Sequence, residues 1–269
     1  MRVISIINQK GGVGKTTTAL NVGHALALAG HRVLLIDLDP QAHLTDCLGL
    51  HAYEGDGVDT VLIDGGRVED NSLALRDNLR LLPAGPRLGL FESENRTARG
   101  VARGWKLERA ISAVADGGYE FVLIDCPPSA GLLTMNALMA SSERMIPVAS
   151  DYLSLHGLSR LMPILDHVDQ TLKRSTQKWV VLTRFQRQRR LAREVRQKLY
   201  DYFPHSLMPT AIRENVSLAE SPSYGQTIFE YKKRSYGAYD YLSLARNLLH
   251  SEVCESQPDI ALCEASGGG

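Results

Sequence analysis

Cysteine is scarce in this 269-residue sequence: only positions 47, 126, 254 and 263 carry it, with no C-x-x-C pair. That spacing excludes a paired-cysteine metal set, and the four thiols are read as reduced. Long apolar runs are missing too. No stretch approaches the roughly 18 residues of a membrane-spanning helix, and the chain enters an apolar strand at Arg2 with no leader before it. The expectation is a cytoplasmic protein without signal peptide, membrane span or membrane partner. Net charge is also absent, because 30 Lys and Arg balance 30 Asp and Glu. A neutral total argues against a polyanionic partner, yet it conceals an asymmetry. Lys173 to Arg234 holds 14 basic and 5 acidic residues, leaving +9 there and −9 on the remainder.

With 44% hydrophobic and 22% charged residues, the chain has the material for the core of one large domain, expected over residues 1–250. From Ser251 onward the composition turns small, polar and acidic and ends in three glycines, which predicts a disordered tail over 251–269. Between these limits apolar β-branched runs alternate with helical patterns. Strands are predicted at Arg2–Ile7, Arg32–Leu38, Leu79–Pro83, Phe121–Ile124, Met145–Val148 and Trp179–Thr183. Helices are predicted at 16–29, 58–63, 105–115, 132–140 and 155–171. Such alternation implies an α/β fold: a doubly wound, mainly parallel twisted sheet flanked by helices. Gly85 to Arg103 shows no periodicity and reads as a loop or lid.

The first strand leads into Lys10-Gly11-Gly12-Val13-Gly14-Lys15-Thr16-Thr17. A glycine-rich turn there aims the free N–H groups and positive dipole end of the following helix at an anion. Gly11, Gly12 and Gly14 let the backbone approach a phosphate closely. Lys15 would reach the β- and γ-phosphates, and the Thr16 hydroxyl would ligate Mg²⁺. One position departs from the general phosphate-loop pattern: Gln9 stands where a glycine is usual, and an additional lysine follows at 10. Two more strands end in acids, at Asp37-Leu38-Asp39-Pro40-Gln41 and at Asp125-Cys126-Pro127-Pro128. Ligands of open α/β sheets bind at that carboxyl edge, where a strand-end acid can hold a water on Mg²⁺.

In these motifs the chain resembles ParA-type partition ATPases with a deviant Walker A loop, of the short form lacking an N-terminal DNA-reading domain. The likeness extends to Gly131–Leu138 and to Arg213–Tyr241, and so covers nearly all of residues 1–250. It implies a P-loop ATPase with ATP and Mg²⁺ as ligands and slow intrinsic turnover. Two subunits would sandwich two ATP molecules, with Lys10 of each crossing to the other's nucleotide. Lys10, Lys15 and Asp39 would be catalytic, Asp39 positioning or activating the attacking water. Asp125 would sense the γ-phosphate through Mg²⁺-bound water, and Thr16, Asp37, Asp39 and Asp125 form the expected metal set. Val13 and Thr17 complete the phosphate loop, while Thr183, Pro209 and Asn215 are expected near the adenine. The resemblance further implies nonspecific double-stranded DNA as a partner, nucleoid association, and a ParB-like adaptor that stimulates hydrolysis to segregate or position a cargo.

Between Arg184 and Lys198 stand seven basic residues and one acid. On a helix, Leu191, Val195, Leu199 and Tyr202 are expected to pack inward, leaving Arg189, Arg193 and Arg196 as a stripe on the opposite side. With Lys232, Lys233 and Arg234 they would form a patch tracking the backbone of duplex DNA. Two readings from other classes are weaker. A MinD-like membrane-cycling ATPase needs a basic amphipathic C-terminus, whereas this chain ends with Glu252, Glu255, Asp259 and Glu264. An electron-transfer protein like the nitrogenase iron protein needs paired cysteines to hold a cluster. His43 and His156 read as polar loop residues, Trp105 and Trp179 as packing residues, and Tyr236, Tyr239 and Tyr241 as anchors of the final helix.

Overall fold

The computed structural model describes residues 1–93, 100–114 and 117–254. Its seven strands are β1 (Arg2–Ile6), β2 (Val33–Asp37), β3 (Leu73–Arg76), β4 (Leu79–Leu82), β5 (Phe121–Asp125), β6 (Glu143–Ala149) and β7 (Gln177–Thr183). They form one sheet in the order β3-β4-β2-β5-β1-β6-β7. Every pairing is parallel except β3 with β4. Successive side chains in a strand point to opposite faces. Val3, Leu34, Ile36, Val122 and Ile124 accordingly join one apolar core, while Ile4, Ile6, Val33, Leu35 and Leu123 join the other. A sheet buried on both faces explains why these strands read as continuous apolar runs.

Thirteen α-helices are described. They are α1 (Lys15–Leu28), α2 (His43–Cys47), α3 (Val58–Asp64), α4 (Val68–Asn71), α5 (Leu88–Ser93), α6 (Gly100–Arg103), α7 (Lys106–Ala113), α8 (Leu132–Ala140), α9 (Tyr152–Thr171), α10 (Arg190–Tyr202), α11 (Val216–Glu220), α12 (Ile228–Tyr231) and α13 (Tyr236–Leu249). Helices α1, α2 and α11–α13 cover one face, and α3, α5 and α7–α10 the other. The outer edge of β7 is blunted by residues 206–214, whose backbone bonds Val180, Leu182 and Phe185. Among the described residues no helix is long and apolar enough to cross a membrane.

Several expectations are revised. Leu88–Ser93 is helical, within a segment read as loop, because Leu88 and Phe91 bury one turn that is too short to display periodicity. Residues 94–99 of that segment, Ala115 of the predicted α7 and residues 255–269 of the predicted tail lie outside the described residues. Ser251 to Cys254 run against the domain, where the Cys254 N–H donates to the Leu207 carbonyl at 2.9 Å. Helix α10 turns Ala192, Val195 and Leu199 inward, while Leu191 is 47% and Tyr202 70% exposed. Tyr241 is buried as expected, but Tyr236 and Tyr239 face outward.

Two loops cross at Gly225 and Gly49. Gly225 has φ +62°, and a Cβ there would stand 2.8 Å from the Gly49 Cα. Gly225→Ala combines left-handed strain with a contact against backbone and is expected to cost about 1–3 kcal/mol. A lower urea midpoint at unchanged denaturant slope is the expected reading; an unchanged midpoint would show that the crossing relaxes freely.

Candidate active site

The sheet register gathers the strand-end acids. Asp37 pairs with Asp125 across β2 and β5, and Ile6 pairs with Asp125 across β1 and β5, so three strands end at one level beside the loop after β1. Gly12 and Gly14 have φ +72° and +89°, a region closed to most side chains. Around Gly11, Gly12 and Gly14 a Cβ would meet nothing within 4 Å, so the loop is an open cradle. Gly14 is the N-cap of α1 and supplies no side-chain cap, and the first turn carries no acid. The free N–H groups of this 14-residue helix are thereby left for an anion.

Lys15, the first residue of α1, is buried. The Thr16 hydroxyl donates to Asp125 Oδ2 at 2.7 Å. Asp125 Oδ1 is buried and has no hydrogen-bond partner. Burial, then repulsion from Asp37, pushes the Asp125 carboxyl well above the ordinary carboxylate range, against the pull of Thr16 and Lys15. An orphaned carboxylate oxygen beside a threonine hydroxyl fits a hydrated divalent cation carried by a polyphosphate. Among the described residues no group of three or more His, Cys, Asp or Glu forms a metal cage by itself. Thr16 and the unpartnered Asp125 oxygen are the groups here whose chemistry fits such a cation.

Asp37 does not fit the metal set. Its Oδ2 accepts from the Thr45 N–H at 2.8 Å and the Thr45 hydroxyl at 2.7 Å, and its Oδ1 from the Asp39 N–H at 3.2 Å. These bonds make it the clamp that fixes Asp39 and the first turn of α2. Asp39 itself is buried: Oδ1 accepts from the Gln41 N–H at 3.0 Å, and Oδ2 is 3.9 Å from His43 Nδ1. A carboxylate at the end of this strand suits a group orienting water.

Burial pushes the Asp37 carboxyl up from 3.8 to about 6, against the bonds from Thr45 and Asp39. Because the folded value is raised, the folded chain holds a proton that the unfolded chain has released between those pH values. The stability this contributes is full below pH 3.8 and lost as pH rises to about 6. The swing is about 3 kcal/mol. Asp37→Asn is therefore expected to gain stability relative to the parent, both nucleotide-free, between pH 4.5 and 7.5. Parallel denaturant titrations at the two pH values check this, and a constant difference would refute it.

The two lysines of the loop have different fates. Lys10 turns away from its own cradle, its Nζ donating to Asp151 Oδ1 at 2.7 Å, Asp151 Oδ2 at 3.0 Å and Ser154 Oγ at 2.8 Å. Burial opposes ionisation of Asp151, but the bonds from Lys10 and Ser154 prevail and hold its carboxyl below the ordinary range. Asp151 is also the N-cap of α9, accepting from the Ser154 N–H at 2.8 Å. Sequence reading missed Asp151, Ser154 and Thr45; only a D-x-x-S capping pattern ahead of α9 marked the first two.

Thr183 is buried, and its hydroxyl donates to the Val13 carbonyl at 2.8 Å, bracing the phosphate loop. Asn215 caps α11, with Oδ1 accepting from the Ser217 N–H at 2.8 Å. Pro209 is half-buried on the segment flanking β7. The Thr183 hydroxyl and the Asn215 side-chain oxygen are thus bonded within the fold, which leaves the backbone of these segments as the groups offered to a base.

The basic groups are rearranged as well. With Ala192 inward, Arg196 and Arg193 lie on one flank of α10 and not on its opposite side. The Arg196 guanidinium stands 5.7 Å from the Phe185 ring, and Arg193 donates to the carbonyls of Arg187 and Gln188. Arg189 is exposed at the N-cap. Lys232, Lys233 and Arg234 are exposed on the turn before α13, in the layer on the other side of the sheet. The two groups therefore do not share a helical layer. Cys47 and Cys126 are free thiols, and burial pushes Cys47 up to about 12 and Cys126 higher still, against a role as cluster ligands.

Residues 1–178 match the family model described as an AAA domain. The chain is 40% identical over 250 residues to the sporulation initiation inhibitor protein Soj of Bacillus subtilis, covering 92% of this chain and 98% of that one. It is 38% identical over 257 residues to the chromosome partitioning protein ParA of Caulobacter vibrioides, covering 94% and 95%. Among solved structures, cobyrinic acid a,c-diamide synthase of Mycobacterium smegmatis with bound ADP and magnesium superposes with a TM-score of 0.78 at 30% identity, covering 93% and 94%.

Proposed function

The chain belongs to the ParA/Soj family of partitioning ATPases, and from that premise we propose that it is an ATP-dependent dimerising switch that holds nonspecific DNA and positions a cargo. In this reading residues 1–250 act as a single ATPase domain with slow intrinsic turnover, and an adaptor of ParB type stimulates hydrolysis. The working place is the nucleoid. The observation that carries the proposal is the divergence of the two loop lysines. Lys15 is buried, while Lys10 is bonded to Asp151 and Ser154.

The chain's own residues divide the work. The glycine loop and the α1 N-terminus bind the phosphates, and Lys15 neutralises them. Mg²⁺, when bound, withdraws charge from the phosphate oxygens. Thr16 and Asp125 hold its shell in place. Asp39, fixed by Asp37, orients water at the cradle. Lys10, on leaving Asp151, supplies positive charge to the nucleotide of the second subunit, so that turnover requires the pair. Dimerisation doubles any basic surface and converts weak phosphate contacts into avidity.

Retention on nonspecific duplex DNA without nucleotide, with ADP and with ATP tests this. ATP alone is expected to confer binding, and Asp39→Ala to prolong it. Joint replacement of Arg189, Arg193 and Arg196 by alanine should lower affinity about tenfold or more and flatten the salt dependence by two to three phosphate contacts, roughly. Equal retention in all nucleotide states would overturn the switch.

A further inference from the structure

A small apolar cavity lies behind the nucleotide loops. Its volume is about 150 Å³, and its apolar walls are Met135 and Leu138 of α8 with Leu161, Ile164, Leu165 and Val168 of α9. The polar groups that line it are already bonded elsewhere. The Thr134 hydroxyl donates to the Ser129 carbonyl at 2.6 Å; Asn8 Nδ2 donates to the Pro147 carbonyl at 2.8 Å, and Asn8 Oδ1 accepts from the Lys10 N–H at 2.9 Å. Among the described residues, no side chain lining the cavity buries an unpartnered polar atom. Water gains little there, whereas apolar cavities of this size stay dry and admit benzene-sized molecules.

The remaining walls belong to the site. Asn8 and Gln9 lead directly into Lys10, and Ser129, Ala130 and Gly131 connect the Asp125 strand end to α8. Helix α9 carries Asp151 as its N-cap and Ser154 in its first turn, the two residues that hold Lys10. The Lys10–Asp151 bonds therefore tie one wall of the cavity to another. Pro163 stands inside α9 beside the lining residue Ile164. It has no N–H to give the Ser159 carbonyl, so α9 is weakest between the cavity and its own N-terminus. The cavity as it stands is the shape of the state in which Lys10 lies on Asp151.

We infer that this cavity binds a small uncharged apolar molecule, about one aromatic ring in size, and that the occupant holds Lys10 on Asp151. A ligand favours the state it fits best. One that fills the space between two tied walls opposes release of the tie, and with it the use of Lys10 on the nucleotide of a second subunit. Charged ligands are refused, because no free lining group compensates a buried charge. Larger ones are refused by volume. The regulatory half of the inference rests on the reading of Lys10 as a group shared between subunits; the binding half does not.

Fluorobenzene and 1-fluoronaphthalene, followed by fluorine NMR on the full chain, test both halves. Six buried ring carbons at the usual transfer value predict a fluorobenzene dissociation constant on the order of 0.1–1 mM, with 1-fluoronaphthalene excluded. Val168→Phe, which fills the space, is expected to weaken fluorobenzene binding by about tenfold or more. Met135→Ala, which enlarges it, is expected to admit 1-fluoronaphthalene at a single site per chain, as a shaped cavity does and a loosened core does not. At about ten times its dissociation constant, fluorobenzene should lower ATP turnover of the parent roughly tenfold and leave that of Val168→Phe unaffected. No saturable signal from the parent, or one that Val168→Phe retains in full, would overturn the cavity as a site. Affinity that rises on dilution of the protein would assign the space to a side chain of a neighbouring molecule and overturn it too. Saturable binding with unchanged turnover would overturn the hold on Lys10. If ring binding follows the size rule but mixed Lys10→Ala and Asp39→Ala chains recover no activity, the shared-lysine reading fails and the cavity stands.

Discussion

Lys10→Ala and Asp39→Ala should each lower ATP turnover by a thousandfold or so, and an equimolar mixture of the two inactive variants should recover activity. A cation supplied from outside the subunit contributes roughly 10³–10⁵ to phosphoryl transfer in comparable systems, and a positioned acid or base roughly 10²–10⁴. The mixture decides which subunit supplies what. If Lys10 works on its own subunit's nucleotide, every site in a mixed pair lacks one of the two groups and nothing is recovered. If Lys10 crosses, the Lys10→Ala subunit keeps its own Asp39 and receives Lys10 from its partner, so one site per mixed pair is complete. The observed geometry favours crossing, because Lys10 Nζ is bonded to Asp151 and Ser154, whereas Lys15 is buried. Steady-state phosphate release at several mixing ratios gives the answer, and a flat line at the level of either variant alone would end the shared-site mechanism.

Asp125→Asn is expected to move two properties in opposite directions. In the nucleotide-free chain it removes a buried carboxylate that has an unpartnered oxygen and lies near Asp37, so stability should rise by about 1–3 kcal/mol. Affinity for ATP in the presence of Mg²⁺ should fall by about 10–100-fold, the usual cost of losing a group that holds a metal's hydration shell. Affinity for ATP with chelator present should change little. A residue retained for folding shows the reverse pattern, since its removal destabilises the fold. Thermal denaturation and calorimetric titration, each with and without Mg²⁺, separate the cases. Loss of stability together with unchanged Mg²⁺-dependent affinity would assign Asp125 to the fold.

Much of the sheet was legible because its central strands are buried on both faces. Val33–Asp37 and Phe121–Asp125 are apolar throughout and end in acids, a pattern visible without any partner strand. β3 was not legible. It is a four-residue antiparallel edge, Leu73–Arg76, with charge on it, and its identity depends on pairing with β4. Helix α10 shows how a correct element was given a partly displaced face: Val195 and Leu199 are buried as expected, but Ala192 takes the place of Leu191. Leu191 and Ala192 differ by about 100° around the helix, and composition favours leucine for the inside. The surface it packs on admits the smaller side chain, with Phe185 beneath Arg196 closing the seam.

At the site, the linear order of residues determined the phosphate loop, its extra lysine and the two acidic strand ends, because glycine conformation, helix dipole and strand termination are local properties of the chain. Which acid is left with an unpartnered oxygen and which one clamps a turn was decided only in three dimensions. Asp37 and Asp39 are two residues apart, yet Thr45, eight residues on, consumes the first and leaves the second at the cradle. The same is true of Lys10, whose partner Asp151 stands 141 positions away. Sequence sets which groups are present at the sheet edge; their roles depend on which hydrogen bonds the rest of the fold has already taken.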